Sequence, residues 1–323
     1  MTYRTSGRRC ISNSVFLVFL LGGIGPFFAQ VGFAQADSPS AESLDRVWVQ
    51  PPPSTGQTAS WFPPAVRSVK GKILRFDSAQ LEIVAQGASS ASRLASERVL
   101  WIQPAGFELL EGPMAELYRK GDFADTLSKL PATLEQRPSI WRQQWITMLA
   151  ANAAWKSRRS KIALDLVSQL DRRSLPPLAV AWLPIAWQRG VQSSEAIRDA
   201  EPRLSDPSEA VRLVAASWLL SSAKRNQAVA VLKQLVTSDR KEISSLAGPL
   251  LWRIASPPEI QRLARQWEQQ LAELPMVFQP GPTRALADQL EAAGMAADAK
   301  RLRWATELTP IHPSFGDLDT QSW

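Results

Sequence analysis

The stretch that decides the fold is residues 206–216, which read Asp-Pro-Ser-Glu-Ala-Val-Arg-Leu-Val-Ala-Ala. Asp206 is a typical N-cap residue and Pro207 suits the first position of a helix, so we predict that a helix begins there. Its apolar face starts at Val211, and the paired Ala215 and Ala216 are small enough for another helix to approach closely. We predict that residues 226–236 form that second helix, which completes a helical hairpin.

Segments of the same kind continue on both sides of this hairpin. From Pro113 to Leu308 the chain is a succession of amphipathic segments rich in Ala, Leu, Gln, Glu and Arg, separated by Pro, Gly, Ser or Asp. Ser256 begins a Ser-Pro-Pro-Glu sequence with the spacing of a capping box. Short connections between helices of similar length imply antiparallel hairpins, so we predict a mainly α fold, an irregular α-solenoid of about 12 antiparallel helices over residues 106–310.

Residues 206–216 resemble the first helix of a HEAT repeat, and residues 226–236 would be its second helix. In that family the Asp-Pro pair caps the helix and the paired alanines allow close helix packing. No fixed period runs through the helical region, so the resemblance implies one such unit within an irregular array.

A second resemblance is to tetratricopeptide units, in which a Gly-x-aromatic turn opens the second helix. It is carried by residues 117–123, where Gly121 and Phe123 form that turn, with Thr126 where the family prefers Ala. Similar units surround Gly294 and, with residues 157–160 in place of the glycine turn, Ala163. Both resemblances imply a protein that holds other proteins, and neither implies catalytic residues.

Residues 66–105 show the alternation of a small antiparallel sheet. Val69, Gly71 and Ile73 alternate with polar residues, and an apolar run at residues 98–102 is stopped by Pro104. The pattern predicts three or four strands and resembles an Sm-like or other small barrel. So small a sheet buries little surface alone, so we expect it to pack as a cap on the N-terminal end of the helices.

The first 36 residues have the features of a secretory signal peptide. Three arginines precede an apolar stretch that ends in Ala34-Gln35-Ala36, so we predict cleavage after Ala36 and a protein exported to the periplasm or cell envelope. An uncleaved membrane anchor and a twin-arginine signal are the alternatives. Residues 37–65 contain six prolines and are predicted to be a tether, and residues 311–323 a C-terminal tail.

The composition excludes several kinds of site. One His and one Cys cannot build a Cys/His metal centre, and no phosphate-binding or nucleophile-elbow motif is present, so we expect no cofactor, no metal and no enzymatic activity. The 37 Lys and Arg face 30 Asp and Glu, and three of those basic residues lie in the predicted signal peptide, which leaves 34 against 30. So small an excess does not indicate a nucleic-acid partner. We also expect no stable membrane span after signal cleavage.

Thirteen tryptophans are the most unusual feature of the composition. In the helical region most of them fall one per helix within apolar stripes, which favours a role in packing between hairpins. The alternative is an exposed aromatic groove, which would make the protein a polysaccharide- or peptidoglycan-binding module of the cell envelope.

The helical region has one local concentration of positive charge. Its members are Lys156, Arg158, Arg159, Lys161, Arg172 and Arg173. Only Asp165 and Asp171 oppose them within that stretch, and the two subsets are expected at opposite ends of one helix. We predict that these residues contact an acidic protein surface or an anionic envelope polymer, and that the protein is a non-enzymatic interaction scaffold or adaptor.

Overall fold

The computed structural model describes residues 44–51, 66–105, 112–190 and 192–308, with side chains to residue 305. The predicted signal peptide with its cleavage site after Ala36, most of the predicted tether and the tail at residues 311–323 lie outside the described residues. The part that is described consists of an antiparallel sheet followed by a helical region, so the prediction of a mainly α fold with a small preceding β unit is confirmed.

Five strands form one antiparallel sheet in the order β4-β3-β2-β1-β5. They are β1 Asp45–Val49, β2 Arg67–Phe76, β3 Gln80–Ala85, β4 Ser92–Ala95 and β5 Val99–Gln103. The two edge strands, β4 and β5, follow each other in the chain with only the short 3-10 turn Ser96–Arg98 between them. Since five strands laid flat would separate their edges by about 19 Å, so short a connection requires a strongly coiled sheet.

Strand β1 corrects the predicted domain boundaries. Residues 45–49 fall inside the predicted tether, yet they pair with β2 on one side and with the edge strand β5 on the other. Val47 and Val49 are buried in its core. A segment of five residues between polar and Pro-rich segments gives only a weak sequence signal for a strand. Its strand conformation depends on two partner strands, of which β5 is about 50 residues away in the sequence.

Twelve α-helices follow within the described residues. They are α1 Gly112–Lys120, α2 Phe123–Glu135, α3 Ile140–Lys156, α4 Ser160–Leu170, α5 Pro177–Ala181, α6 Ser194–Ala200, α7 Glu209–Leu219, α8 Arg225–Leu235, α9 Lys241–Trp252, α10 Pro257–Glu273, α11 Pro280–Ala292 and α12 Ala296–Leu308. Two further 3-10 turns, Glu201–Ser205 and Met276–Phe278, lie between them. None of the helices in the described residues is long and apolar enough to cross a membrane.

Consecutive helices pack on one another along most of the region, and the array is irregular at its centre. Helices α1 to α4 pack in sequence, as do α7 to α9 and α10 to α12, while α4 also contacts α7 and α9 contacts α11. The sheet packs on α5 and on the turn Met276–Phe278. The sheet was expected to cap the N-terminal end of the array; it contacts α3 through Asp45 and Arg142, and its strand β5 also packs on α5.

One detail of the predicted helices also differs. The N-cap of α7 is Ser208, whose hydroxyl accepts a 3.1 Å hydrogen bond from the Val211 amide, while the Asp206 carboxylate accepts from the Ser208 amide. Separately, α5 ends at Ala181, before Pro184. Proline disfavours helical backbone at the preceding residue, so the chain leaves the helix there.

Candidate functional site

Three helical hairpins share one turn geometry, and one of these turns carries the predicted basic residues. The hairpins are α1–α2, α3–α4 and α11–α12, and each turn has one left-handed residue two positions before the second helix begins. The amide after that residue donates to the carbonyl five positions earlier. These bonds run from Asp122 to Leu117 at 2.9 Å, from Arg159 to Ala154 at 2.8 Å and from Met295 to Leu290 at 2.8 Å.

The residue at the left-handed position distinguishes the three turns. It is Gly121 with φ +83° in the first and Gly294 with φ +81° in the third, but Arg158 with φ +62° in the α3–α4 turn. Left-handed backbone costs a residue that has a Cβ about 1 kcal/mol more than it costs glycine. The α3–α4 turn therefore keeps a guanidinium at a position where glycine would be more stable.

The positive charges of this turn also lie at the unfavourable end of the dipole of the helix that follows it. We call Lys156, Arg158, Arg159 and Lys161 together the basic turn. Arg159 is the N-cap residue of α4, Lys161 is its second residue, and its first turn has no acidic residue. The amino end of a helix carries partial positive charge and favours anions, so these two cations are unfavourably placed. Lys156, the last residue of α3, is at the favourable end of its own helix.

The side chains of the basic turn point into solvent. Arg158, Arg159 and Lys161 are exposed, and none of the three makes a side-chain hydrogen bond or ion pair with the described residues. The Lys156 ammonium lies 5.3 Å from the ring centroid of Tyr118 and 5.3 Å from that of Phe123. That contact joins the basic turn to the neighbouring turn between α1 and α2.

The two aspartates that were expected to oppose these charges are engaged elsewhere. Asp165 pairs with Arg203, in the 3-10 turn after α6. Asp171 accepts 2.6 Å and 2.7 Å hydrogen bonds from the Ser208 hydroxyl and the Arg240 guanidinium. Their negative charge is thus largely offset by other arginines, and the basic turn keeps its excess.

Arg172 and Arg173 do not belong to the basic turn. They follow the last residue of α4, Leu170, and are exposed, with no side-chain hydrogen bond or ion pair to the described part of the chain. At a rise of about 1.5 Å per residue, the length of α4 separates them from Arg159 and Lys161 by more than 15 Å. The six predicted site residues therefore form two clusters at opposite ends of one helix.

The structure adds one arginine that the sequence analysis missed. The Ser160 hydroxyl, at the start of α4, donates a 2.5 Å hydrogen bond to the Asp199 carboxylate of α6. The preceding residue of α6, Arg198, has an exposed side chain 3.9 Å from that carboxylate. Arg198 is 37 residues from Lys161 in the sequence. The contact between α4 and α6 brings Arg198 near the start of α4, and no local sequence pattern predicts this position.

The tryptophans are mostly buried. Of the eleven that the structure describes, six are buried and four half-buried. They pack in pairs, for example Trp155 with Trp218 and Trp252 with Trp267, whose stacked ring centroids are 6.1 Å and 5.5 Å apart. Trp304 on α12 is the exposed one among them, at 60%. The described tryptophans therefore serve packing, with Trp304 as the exception.

A cleft of about 300 Å³ lies between the sheet and the start of α3. Its lining includes Asp45, Lys72 and Arg142, and the Asp45 carboxylate is held there by the Arg142 guanidinium at 2.9 Å. Within the described ranges, no three His, Cys, Asp or Glu side chains converge in a way that could hold a metal ion. The basic turn differs from this cleft in presenting several exposed cations, which can attract anions.

No family model matches the chain, and neither a curated protein nor a solved structure matches it.

Proposed function

We propose that this protein is a non-enzymatic, exported scaffold or adaptor that holds a protein partner through its helical array. In this proposal the basic turn contacts an anionic partner, either an acidic protein surface or an anionic envelope polymer. Export to the periplasm or cell envelope rests on the features of residues 1–36, and the absence of catalysis on the lack of a recognisable catalytic motif in the sequence.

One observation supports the proposal: the residues of the basic turn are less favourable for folding than the residues in equivalent turns. Arg158 holds left-handed backbone where two equivalent turns use glycine, and Arg159 and Lys161 crowd the positive end of α4. Departures from the most stable local choice concentrate at functional positions, because binding selects residues that folding alone would not. Arg158, Arg159 and Lys161 are exposed and have no acidic partner among the described residues, so they can attract an anionic surface over several ångströms of solvent.

Charge reversal within the turn tests this proposal. The variant Arg158→Glu/Arg159→Glu/Lys161→Glu should weaken co-purification of the partner from an envelope extract of the native host, and added salt should weaken recovery by the unaltered protein. The melting temperature should stay the same or rise, because acidic residues suit the amino end of α4.

A matched control is available on other helices. Lys233, Arg262 and Arg265 are exposed and have no ion-pair partner among the described residues, so reversing these three to Glu changes the net charge equally. Recovery of the partner should survive this control reversal. Recovery that is indifferent to both reversals and to salt would contradict the proposal.

The second candidate is a polysaccharide- or peptidoglycan-binding module, and Trp304 is the observation that favours it. Its ring is exposed, and the Lys300 ammonium lies 5.7 Å from the ring centroid, so an aromatic face and a cation adjoin. Trp304→Ala should then abolish sedimentation of the protein with insoluble peptidoglycan. Sedimentation that Trp304→Ala leaves unchanged would count against this candidate.

A further inference from the structure

We infer that the basic turn recognises an acidic polypeptide segment that also carries apolar side chains, and not an anionic polysaccharide. The inference rests on the proposed function, since it names the chemistry of the partner at the same turn. It is supported by the side chains around the cations. They include an exposed aliphatic group, whereas a sugar polymer would be bound by exposed aromatic rings.

An exposed apolar side chain stands directly beside the cations. Ile162 follows Lys161 on α4 and is 43% exposed, one of five large apolar side chains that are exposed in the described residues. A branched aliphatic group on the surface gains from covering by another apolar side chain. A peptide can supply a leucine or phenylalanine next to its carboxylates, whereas a carboxylated polysaccharide has no such side chain.

The aromatic rings near the turn are not available to a sugar. Sugar rings stack on exposed aromatic faces, but Tyr118 is 3% exposed, and the Lys156 ammonium lies over it and over the half-buried Phe123. The exposed Trp304 belongs to α12, at the other end of the helical region. In the described part of the chain, the surface around the basic turn thus offers cations and an aliphatic contact but no exposed aromatic ring.

The charges around the turn also orient the partner. Arg158 and Arg159 present guanidinium groups, which bind carboxylates through paired hydrogen bonds. Arg198 of α6 lies 3.9 Å from the Asp199 carboxylate, which partly balances its charge. Beside Lys156, the exposed Asp122 and Asp125 of the α1–α2 turn and α2 would repel acidic residues. The acidic side chains of the segment should therefore lie toward the start of α4.

Two peptides and one polymer distinguish the chemistries. The probes are a fluorescent peptide of alternating Glu and Leu, the same peptide with each Leu replaced by Ser, and polygalacturonate as a carboxylated polysaccharide. Binding is measured by fluorescence anisotropy at low ionic strength, with polygalacturonate as a competitor. We expect the Glu-Leu peptide to bind most tightly, and the Arg158→Glu/Arg159→Glu/Lys161→Glu variant to lose that binding.

The variant Ile162→Ser separates this inference from simple charge attraction. It should weaken the Glu-Leu peptide about fivefold, as expected for losing a half-exposed aliphatic contact, and leave the Glu-Ser peptide unchanged. Val236→Ser, which alters another exposed aliphatic residue on α8's end, is the matched control and should change neither.

Two results would overturn the inference. Equal affinity for both peptides, with no effect of Ile162→Ser, would show that no apolar contact contributes to binding. Preferential displacement of the peptide by polygalacturonate would show that the basic turn binds a polysaccharide. In either case the proposed scaffold stands if the charge reversal still abolishes recovery of the partner from the envelope extract. Failure of the scaffold proposal is seen separately, as recovery that the reversal leaves intact.

Discussion

The guanidinium of Arg142 on α3 donates a 2.9 Å hydrogen bond to the carboxylate of Asp45 on β1, and the two side chains are 14% and 6% exposed. The same carboxylate accepts backbone hydrogen bonds from Ile73 at 3.0 Å and from Ala105 at 2.6 Å. One buried aspartate therefore joins the first strand, the second strand, the end of the sheet and the helical region. Its negative charge is compensated by a residue almost a hundred positions away.

Replacing Arg142 by Met should destabilise the protein by about 3 kcal/mol, because the buried Asp45 carboxylate would lose its cationic partner. Equilibrium urea unfolding followed by tryptophan fluorescence measures the change. In the double variant Arg142→Met/Asp45→Asn the loss should be smaller than the sum of the two single losses. Additive losses would show that the two side chains do not depend on each other.

Arg158→Gly should raise the free energy of unfolding by about 1 kcal/mol, because glycine adopts the left-handed backbone of the α3–α4 turn without the penalty of a Cβ. Arg158→Ala is the matched control. It removes the same charge at the same residue but keeps a Cβ, so it should bring no such backbone gain. A rise in both variants would mean that charge, and not backbone, sets the stability of this turn.

Gly281→Ala should be destabilising, since a Cβ at this position of α11 would overlap ring atoms Cε2 and Nε1 of Trp187. Overpacking of this kind costs about 1 to 3 kcal/mol. Gly248→Ala in α9 provides the comparison, because a Cβ there meets no neighbouring atom within 4 Å and alanine favours helix. Thermal unfolding of the two variants should shift in opposite directions, and a harmless Gly281→Ala would show that Trp187 is not packed against α11.

Arg253→Met should be among the most damaging single changes. The buried guanidinium donates to three backbone carbonyls, those of Ala186 at 2.6 Å, Ser217 at 2.9 Å and Gln188 at 2.8 Å. Burial lowers the pKa of Arg253 to about 10, so the group remains charged at neutral pH. Methionine would leave the three carbonyls without this donor, at a cost of about 3 kcal/mol or more in the free energy of unfolding.

Arg225→Met is the control for that experiment. Arg225 also donates to a carbonyl, that of Ile254 at 2.9 Å, but it does so at the protein surface, where water can take its place. Its loss should cost less than about 1 kcal/mol. Equal effects of the two variants in urea unfolding would mean that the carbonyls around Arg253 find other donors.

The sequence by itself determined the local structure. Helical periodicity from Pro113 onward and the alternation after Val66 predicted the helical region and most of the sheet, because both patterns depend on neighbours a few residues apart. Gly121 and Gly294 marked two of the helical turns through their freedom to take left-handed backbone. The positive charge at residues 156–161 was equally visible in the sequence, as was its separation from Arg172 and Arg173 by one helix.

The tertiary structure alone decided which distant groups meet. Strand β1 forms because β2 and β5 pair with it. Arg198 lies near the basic turn because Ser160 contacts Asp199, the residue that follows Arg198. The left-handed backbone at Arg158 follows from the packing of α3 against α4, since its own side chain disfavours that conformation. Such contacts depend on which buried faces fit together across the whole chain, and a local pattern of residues does not contain that information.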